Sequence, residues 1–241
     1  MKISNKTILI TGGTSGIGYI LGKELLVKKN TVILLGRNGD RLKALEKEGF
    51  ETIACDLGRQ DDVEEAVLEI ENQFPGLEIL FNNAGVQYNY LITDTVIPLT
   101  KIRDEIEINL TGQIILTQLL IPVLARNSDS MIVNTTSGLG AFPKSDGLVY
   151  SASKAGMRSF TTGLKYALKD TNISVAEFIP PVTDTNMTAG RSENKMSPEK
   201  LVQTILPQLE RGKSIVTTSQ IRIFLWISFL FPGLANKILS K

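Results

Sequence analysis

Seven short apolar runs, spaced along the whole chain, constrain its fold more than any other feature. They fall at 7–10, 31–35, 52–55, 78–81, 131–135, 173–179 and 214–217, and most are rich in β-branched residues. They read as nearly continuous apolar segments rather than alternating ones, which suits strands covered on both faces. Between them lie segments with helical spacing, at about 16–28, 41–48, 61–74, 98–124, 150–169 and 198–210. Asp61 and Asp62 sit where a helix dipole favours acids, and Pro75-Gly76 stops that helix. Pro122 is expected to kink or end the long helix over 98–124. Strands alternating with helices imply right-handed βαβ units, and hence an α/β fold with a doubly wound parallel sheet and helices on both faces. No linker composition or internal repeat interrupts the pattern, so residues 1–241 read as one domain. It carries a polar loop at about 185–197 and an apolar tail at about 220–241.

What the chain lacks narrows its chemistry. It has no histidine, which excludes Ser-His-Asp and Cys-His catalysis and His-based zinc sites. Its one cysteine, Cys55, excludes an internal disulfide and a Cys-cluster metal site, so no metal is expected. Cys55 ends an apolar run and reads as a small buried side chain, consistent with a reducing cytoplasm. The short polar start shows no signal-peptide pattern. Lys+Arg 26 against Asp+Glu 25 gives a net charge of +1, with no basic stripe for nucleic acid.

Four local patterns carry possible chemistry. Thr11-Gly12-Gly13-Thr14-Ser15-Gly16-Ile17-Gly18 joins the first strand to the first helix. Glycines there let the backbone approach a pyrophosphate at a helix N-terminus, but a tight structural turn explains them equally well. No P-loop lysine follows. Asn82-Asn83-Ala84-Gly85 follows the fourth strand at its ligand-binding carboxyl end, and is also an ordinary turn sequence. Asn109 is a polar amide in the apolar stretch 106–116, and Ser137 follows the fifth strand as a site residue or a cap. Tyr150 and Lys154 are four apart, which stacks them on one helix face. An ammonium beside a phenol lowers the phenol's pKa toward neutrality and makes an acid/base of it, although exposed residues on an ordinary helix fit the same spacing.

Together, in this order and with Ser137 13 positions before Tyr150, these patterns resemble the short-chain dehydrogenase/reductase family over almost the whole chain. The resemblance implies a Rossmann-like sheet of strand order 3-2-1-4-5-6-7 and a nicotinamide cofactor. It implies that Tyr150 is the acid/base, that Lys154 lowers its pKa and holds the nicotinamide ribose, and that Ser137 binds the substrate oxygen. Asn109 would anchor a water linking Lys154 to solvent. The cofactor would be held by Gly12, Thr14, Ser15, Gly16, Ile17, Gly18, Asp56, Leu57, Asn83, Ala84, Gly85, Tyr150, Lys154, Val182 and Thr185. At the end of the second strand, Gly36 stands where NAD-using members tend to carry an acid, and Arg37 follows. A guanidinium suits a 2′-phosphate, so NADP(H) is expected over NAD(H), with Arg41 as a helper. Pro180-Pro181-Val182-Thr183-Asp184-Thr185 departs from the family's Pro-Gly segment at Pro181. That variant resembles the subgroup with a dehydrogenase encoded beside teichoic-acid D-alanylation genes.

The expected activity is hydride transfer between NADP(H) and a small or medium carbonyl/alcohol pair. The rival reading is a nucleotide-binding sensor or assembly protein on the same fold. Segments 87–91, 139–143 and 185–196 are the expected substrate walls. In the resembled family the long helices often pack between subunits, and Ile114, Leu119, Phe160 and Leu164 suit a homodimer or homotetramer. The tail either packs on the body or a partner subunit, which is the favoured expectation, or lies on a membrane surface.

Overall fold

A computed structural model describes residues 1–94, 96–231 and 233 of the chain. The strands are β1 (Thr7–Thr11), β2 (Thr31–Gly36), β3 (Glu51–Ala54), β4 (Leu77–Asn82), β5 (Ser130–Thr135), β6 (Ile173–Ile179) and β7 (Ile215–Thr217). The helices are α1 (Gly16–Val27), α2 (Gly39–Glu46), α3 (Gln60–Gln73), α4 (Leu99–Ile106), α5 (Gly112–Leu124), α6 (Leu148–Ala167), α7 (Pro198–Glu210) and α8 (Ser219–Leu230). The strands form one parallel sheet ordered β3-β2-β1-β4-β5-β6-β7. Strand order reverses between β1 and β4, so their carboxyl ends open a crevice there.

Alternate residues of each strand feed two separate cores, which is why the apolar runs are continuous. From β1, Ile8 and Ile10 point to one face, where Leu21 and Leu25 of α1 and Leu201, Ile205 and Leu209 of α7 cover them. Leu9 points to the other, among Val63 and Ile70 of α3 and Leu116, Leu120 and Val123 of α5. Each fully buried side chain of this size contributes about 1.5–3 kcal/mol. The two-sided burial makes the centre of the sheet rigid and leaves its carboxyl edge to the loops.

The helix expected over 98–124 runs over Leu99–Leu124, but it is not α-helical throughout. A π-helical turn, Glu107–Thr111, separates α4 from α5. The Gly112 N–H donates to the carbonyl of Glu107, five residues back. The Ile108 carbonyl accepts instead from the side-chain amide of Gln113, at 3.0 Å. The turn brings Gly112 so close to the Leu57 carbonyl that any side chain there would collide with it. Pro122 lies in the last turn of α5, which ends two residues later.

The apolar tail begins as α8, with Ile221 and Phe224 on the body and Phe224 edge-on against Phe142, ring centroids 4.6 Å apart. Its other side leaves Ile223, Trp226 and Phe229 exposed. Pro232 and the remainder of the expected tail from 234 lie outside the described residues.

Candidate active site

The glycine turn leaves β1 at Gly12, whose φ of +64° suits glycine. A Cβ there would stand 2.7 Å from the Cα of Ala84, so the two turns at the carboxyl ends of β1 and β4 touch backbone to backbone. They are also stapled together. The Thr11 hydroxyl accepts from the N–H groups of Asn83 and Ala84, both at 2.9 Å, and the Asn83 amide donates to the Thr11 carbonyl at 3.1 Å. Ser15 begins α1 in an extended conformation without a side-chain cap, which leaves first-turn N–H groups free at the crevice. Free N–H groups, the helix dipole and bare backbone form a cradle that fits a dinucleotide's pyrophosphate.

Beyond the cradle lies a cavity of about 650 Å³, within the range of small-molecule sites. Of the expected cofactor residues, Gly12, Thr14, Ser15, Gly16, Ile17, Arg37, Asp56, Leu57, Asn83, Ala84, Gly85, Val182 and Thr185 line it, and so do Ser137, Tyr150 and Lys154. Gly18 and Asn109 do not. Gly18 packs under the turn, where a Cβ would meet the Gly12 carbonyl 2.5 Å away. Asn109 is fully buried behind the wall. Its Oδ1 accepts from the Val86 N–H and its Nδ2 donates to the Val86 carbonyl, both at 2.8 Å. The same amide reaches Ser153 Oγ at 3.2 Å, so Asn109 ties the wall segment to α6.

At the end of the cavity beside β2, Arg37 is 58% exposed and faces Asp56 at 3.5 Å. Arg41 is otherwise engaged: its Nε donates to the Thr14 carbonyl at 3.2 Å, and its guanidinium lies over the Tyr19 ring. It braces the glycine turn, which leaves Arg37 as the cation on the cavity wall at this end.

At the other end, α6 presents Tyr150 and Lys154 one turn apart, and the Tyr150 hydroxyl is hydrogen-bonded to Ser137. Lys154 is buried and donates to the Thr135 carbonyl at 2.9 Å; its Nζ lies 5.8 Å from the centre of the Tyr150 ring. Burial lowers its pKa to about 8. The expected lowering of the Tyr150 pKa does not prevail. Burial pushes the phenol up, against the downward pulls of the Ser137 hydrogen bond and the Arg191 charge, and Glu105 pushes it further up. The reason is desolvation: both α6 groups are buried, and the ammonium is spent on a backbone carbonyl.

Behind the site runs a buried chain of amides and hydroxyls that the one-dimensional pattern did not reveal. Asn82 Nδ2 donates to Thr117 Oγ1 and to Asn134 Oδ1, and Asn134 Nδ2 donates to Thr161 Oγ1. It ties α5, β4, β5 and α6 together beneath Tyr150 and Lys154. Sequence reasoning also missed Glu105, Arg191, Ile221 and Phe224. Arg191 lies in the flagged polar loop, but no spacing singled it out. Ile221 and Phe224 of α8 line the cavity, with Leu139, Phe142 and Met187, so the tail forms part of the wall.

Comparison with known proteins follows this geometry. A model of the family described as short chain dehydrogenase matches residues 6–196. An uncharacterized oxidoreductase named DltE, from Bacillus subtilis (strain 168), is 34% identical over 229 residues, covering 92% of this chain and 91% of that one. A short chain dehydrogenase from Burkholderia cenocepacia J2315, solved in complex with NADP, superposes with a TM-score of 0.89 at 22% identity, with 100% of each chain covered. A short chain dehydrogenase/reductase from Burkholderia phymatum, solved in complex with NAD, gives 0.85 at 17% identity, covering 97% of this chain and 96% of that one. At these identities the two structures speak for the fold.

Proposed function

Because the chain belongs to the short-chain dehydrogenase family of oxidoreductases, we propose that it interconverts a small or medium-sized carbonyl compound and its alcohol, uses NADP(H) in preference to NAD(H), and employs Tyr150 as the acid/base. The observation that carries this reading is convergence. Ser137, Tyr150 and Lys154 meet in the cavity that begins at the pyrophosphate cradle. A bound nicotinamide supplies or accepts the hydride. The chain's own groups handle the charge and the proton. In reduction, negative charge develops on the substrate oxygen, and the Ser137 and Tyr150 hydroxyls stabilise it there. Tyr150, held protonated by burial, is in the state needed to donate its proton to that oxygen. Lys154 then faces a phenolate, which its ammonium stabilises. Asn109 fixes the wall segment through Val86, and Arg37 is the group suited to a 2′-phosphate.

The test is NADPH consumption across a panel of carbonyl compounds, repeated with Tyr150→Phe. The substitution keeps the ring and deletes the hydroxyl. Turnover should fall by a factor of about 10² or more while NADPH affinity holds. Near-wild-type turnover by the variant would remove Tyr150 from the acid/base role. NADPH binding without turnover on any carbonyl would favour the sensor reading.

A further inference from the structure

The charged groups on the cavity wall are nearly all accounted for. Arg37 faces Asp56, and Lys144 lies 3.3 Å from Asp146 and 3.9 Å from Glu193. Lys154 donates to the Thr135 carbonyl. Arg191 differs. Its Nη2 is buried without a hydrogen-bond partner, and its guanidinium makes no ion pair among the described residues. An arginine cannot shed its proton to relieve this, and a buried N–H group without a partner is costly.

Two observations say which end of the cavity Arg191 serves. It lines the cavity, and its charge bears on the Tyr150 hydroxyl, where the substrate oxygen must sit. It is carried there by a loop with a closed base: the Asp184 N–H donates to the Met196 carbonyl and the Met196 N–H to the Val182 carbonyl, both at 2.9 Å. The same cavity is lined by the apolar side chains of Leu139, Phe142, Met187, Ile221 and Phe224.

From this we infer that the carbonyl substrate carries an oxyanion, carboxylate or phosphate, which pairs with Arg191 while its apolar body lies against the wall of Phe142 and α8. The inference rests on the carbonyl-reductase reading above. A guanidinium grips such groups through two parallel hydrogen bonds, so it orients the substrate as well as attracting it.

The experiment compares the isomeric 2-, 3- and 4-oxooctanoates with their methyl esters, and hydroxyacetone phosphate with hydroxyacetone, by NADPH consumption. The first set tests carboxylate at varied distance from the carbonyl, and the last pair tests phosphate. At least one anion should exceed its neutral partner by about 10-fold to 100-fold in kcat/KM, the range for a charge-assisted pair. In Arg191→Met that ratio should collapse to about threefold or less, and Arg191→Lys should restore part of it. The ratio is the readout because any effect of Arg191 on Tyr150 acts on both partners equally. NADPH affinity, read by fluorescence titration, should stay within about twofold of wild type, given that the loop cation contacts substrate.

Neutral partners consumed as well as the anions would overturn the inference and leave the reductase reading standing. So would an anion preference that survives Arg191→Met. Lost NADPH affinity with an unchanged ratio would make Arg191 a cofactor contact and also overturn it. If no compound is consumed, the reductase reading fails for these substrates, and calorimetric titration of 3-oxooctanoate and hydroxyacetone phosphate into the protein–NADP⁺ complex decides the rest. Binding that requires Arg191 would support the anion site alone, and absence of binding would overturn it.

Discussion

Replacing Lys154 should make the cofactor-free protein more stable at neutral pH. The side chain is 3% exposed, and burial lowers its pKa from 10.5 to about 8. That gap corresponds to about 3 kcal/mol, at about 1.4 kcal/mol per tenfold. Below pH 8 the folded and unfolded chains both hold the proton, so the folded chain bears the full penalty. From about pH 8 to 10.5 the unfolded chain still holds it and the folded chain releases it, so stability rises with pH. Lys154→Met keeps a long unbranched side chain, removes the charge, and loses the hydrogen bond to Thr135, about 1 kcal/mol. The variant should therefore be about 2 kcal/mol more stable than wild type at pH 7, or about 4–8 °C in Tm. Above about pH 10.5 it should be about 1 kcal/mol less stable, with the curves crossing near pH 10. Urea unfolding of both proteins between pH 6 and pH 10.5 measures this. A variant no more stable than wild type at pH 7, or a difference that ignores pH, would refute the reasoning. Turnover should fall in the same variant, so the site holds a group that the fold would be better without.

Arg37→Asp should weaken NADPH by about 1–3 kcal/mol, because it removes the phosphate partner and sets a second carboxylate beside Asp56, while NADH changes less. Fluorescence titration of both cofactors checks this, and equal losses would deny Arg37 any part in selecting the phosphate. Cys55 is 3% exposed and its thiol is pushed up to about 12, by burial first and then by the charges of Asp62 and Asp56. It should resist iodoacetamide at pH 8 in the native protein and react readily in urea, as mass spectrometry would show. We also propose a homodimer or homotetramer through α5 and α6, where Leu119 is exposed and Ile114 and Phe160 are partly so, although Leu164 is already buried in the body. Monomeric scattering at micromolar concentration would dismiss it, and co-sedimentation with anionic liposomes would assign the outer face of α8 to a membrane surface instead.

The sheet was legible because burial on both faces leaves a strong local trace. Ile8, Leu9 and Ile10 are all apolar, as a strand covered on both faces requires, and the run is too short for a helix. The meeting of Ser137, Tyr150 and Lys154 in one cavity was legible through spacing along one helix and through order along the chain. What stayed hidden depends on neighbours far away in sequence. The π turn is stabilised by Gln113 and by contacts of Asn109 with Val86 and Ser153, none of which a helical periodicity records. The Tyr150 pKa followed the same logic. Spacing places a cation nearby, but only packing shows that both groups lose water and that the ammonium turns to Thr135. The hydrogen bond from Arg41, expected as a helper to Arg37, to the Thr14 carbonyl is another such long-range contact.

The π turn also makes chain length a determinant of this site. It holds one residue more than an α-helical turn, so deleting any one residue between 107 and 111 leaves a regular helix with sound backbone hydrogen bonds. The flanking helices α4 and α5 would keep their facing, because the bulge absorbs the extra residue, and the change would fall on the turn that presents Asn109. Asn109 or its replacement would then no longer meet both Val86 and Ser153. An insertion or deletion here would thus be silent in secondary structure and severe at the cavity wall, the reverse of what length changes do in surface loops.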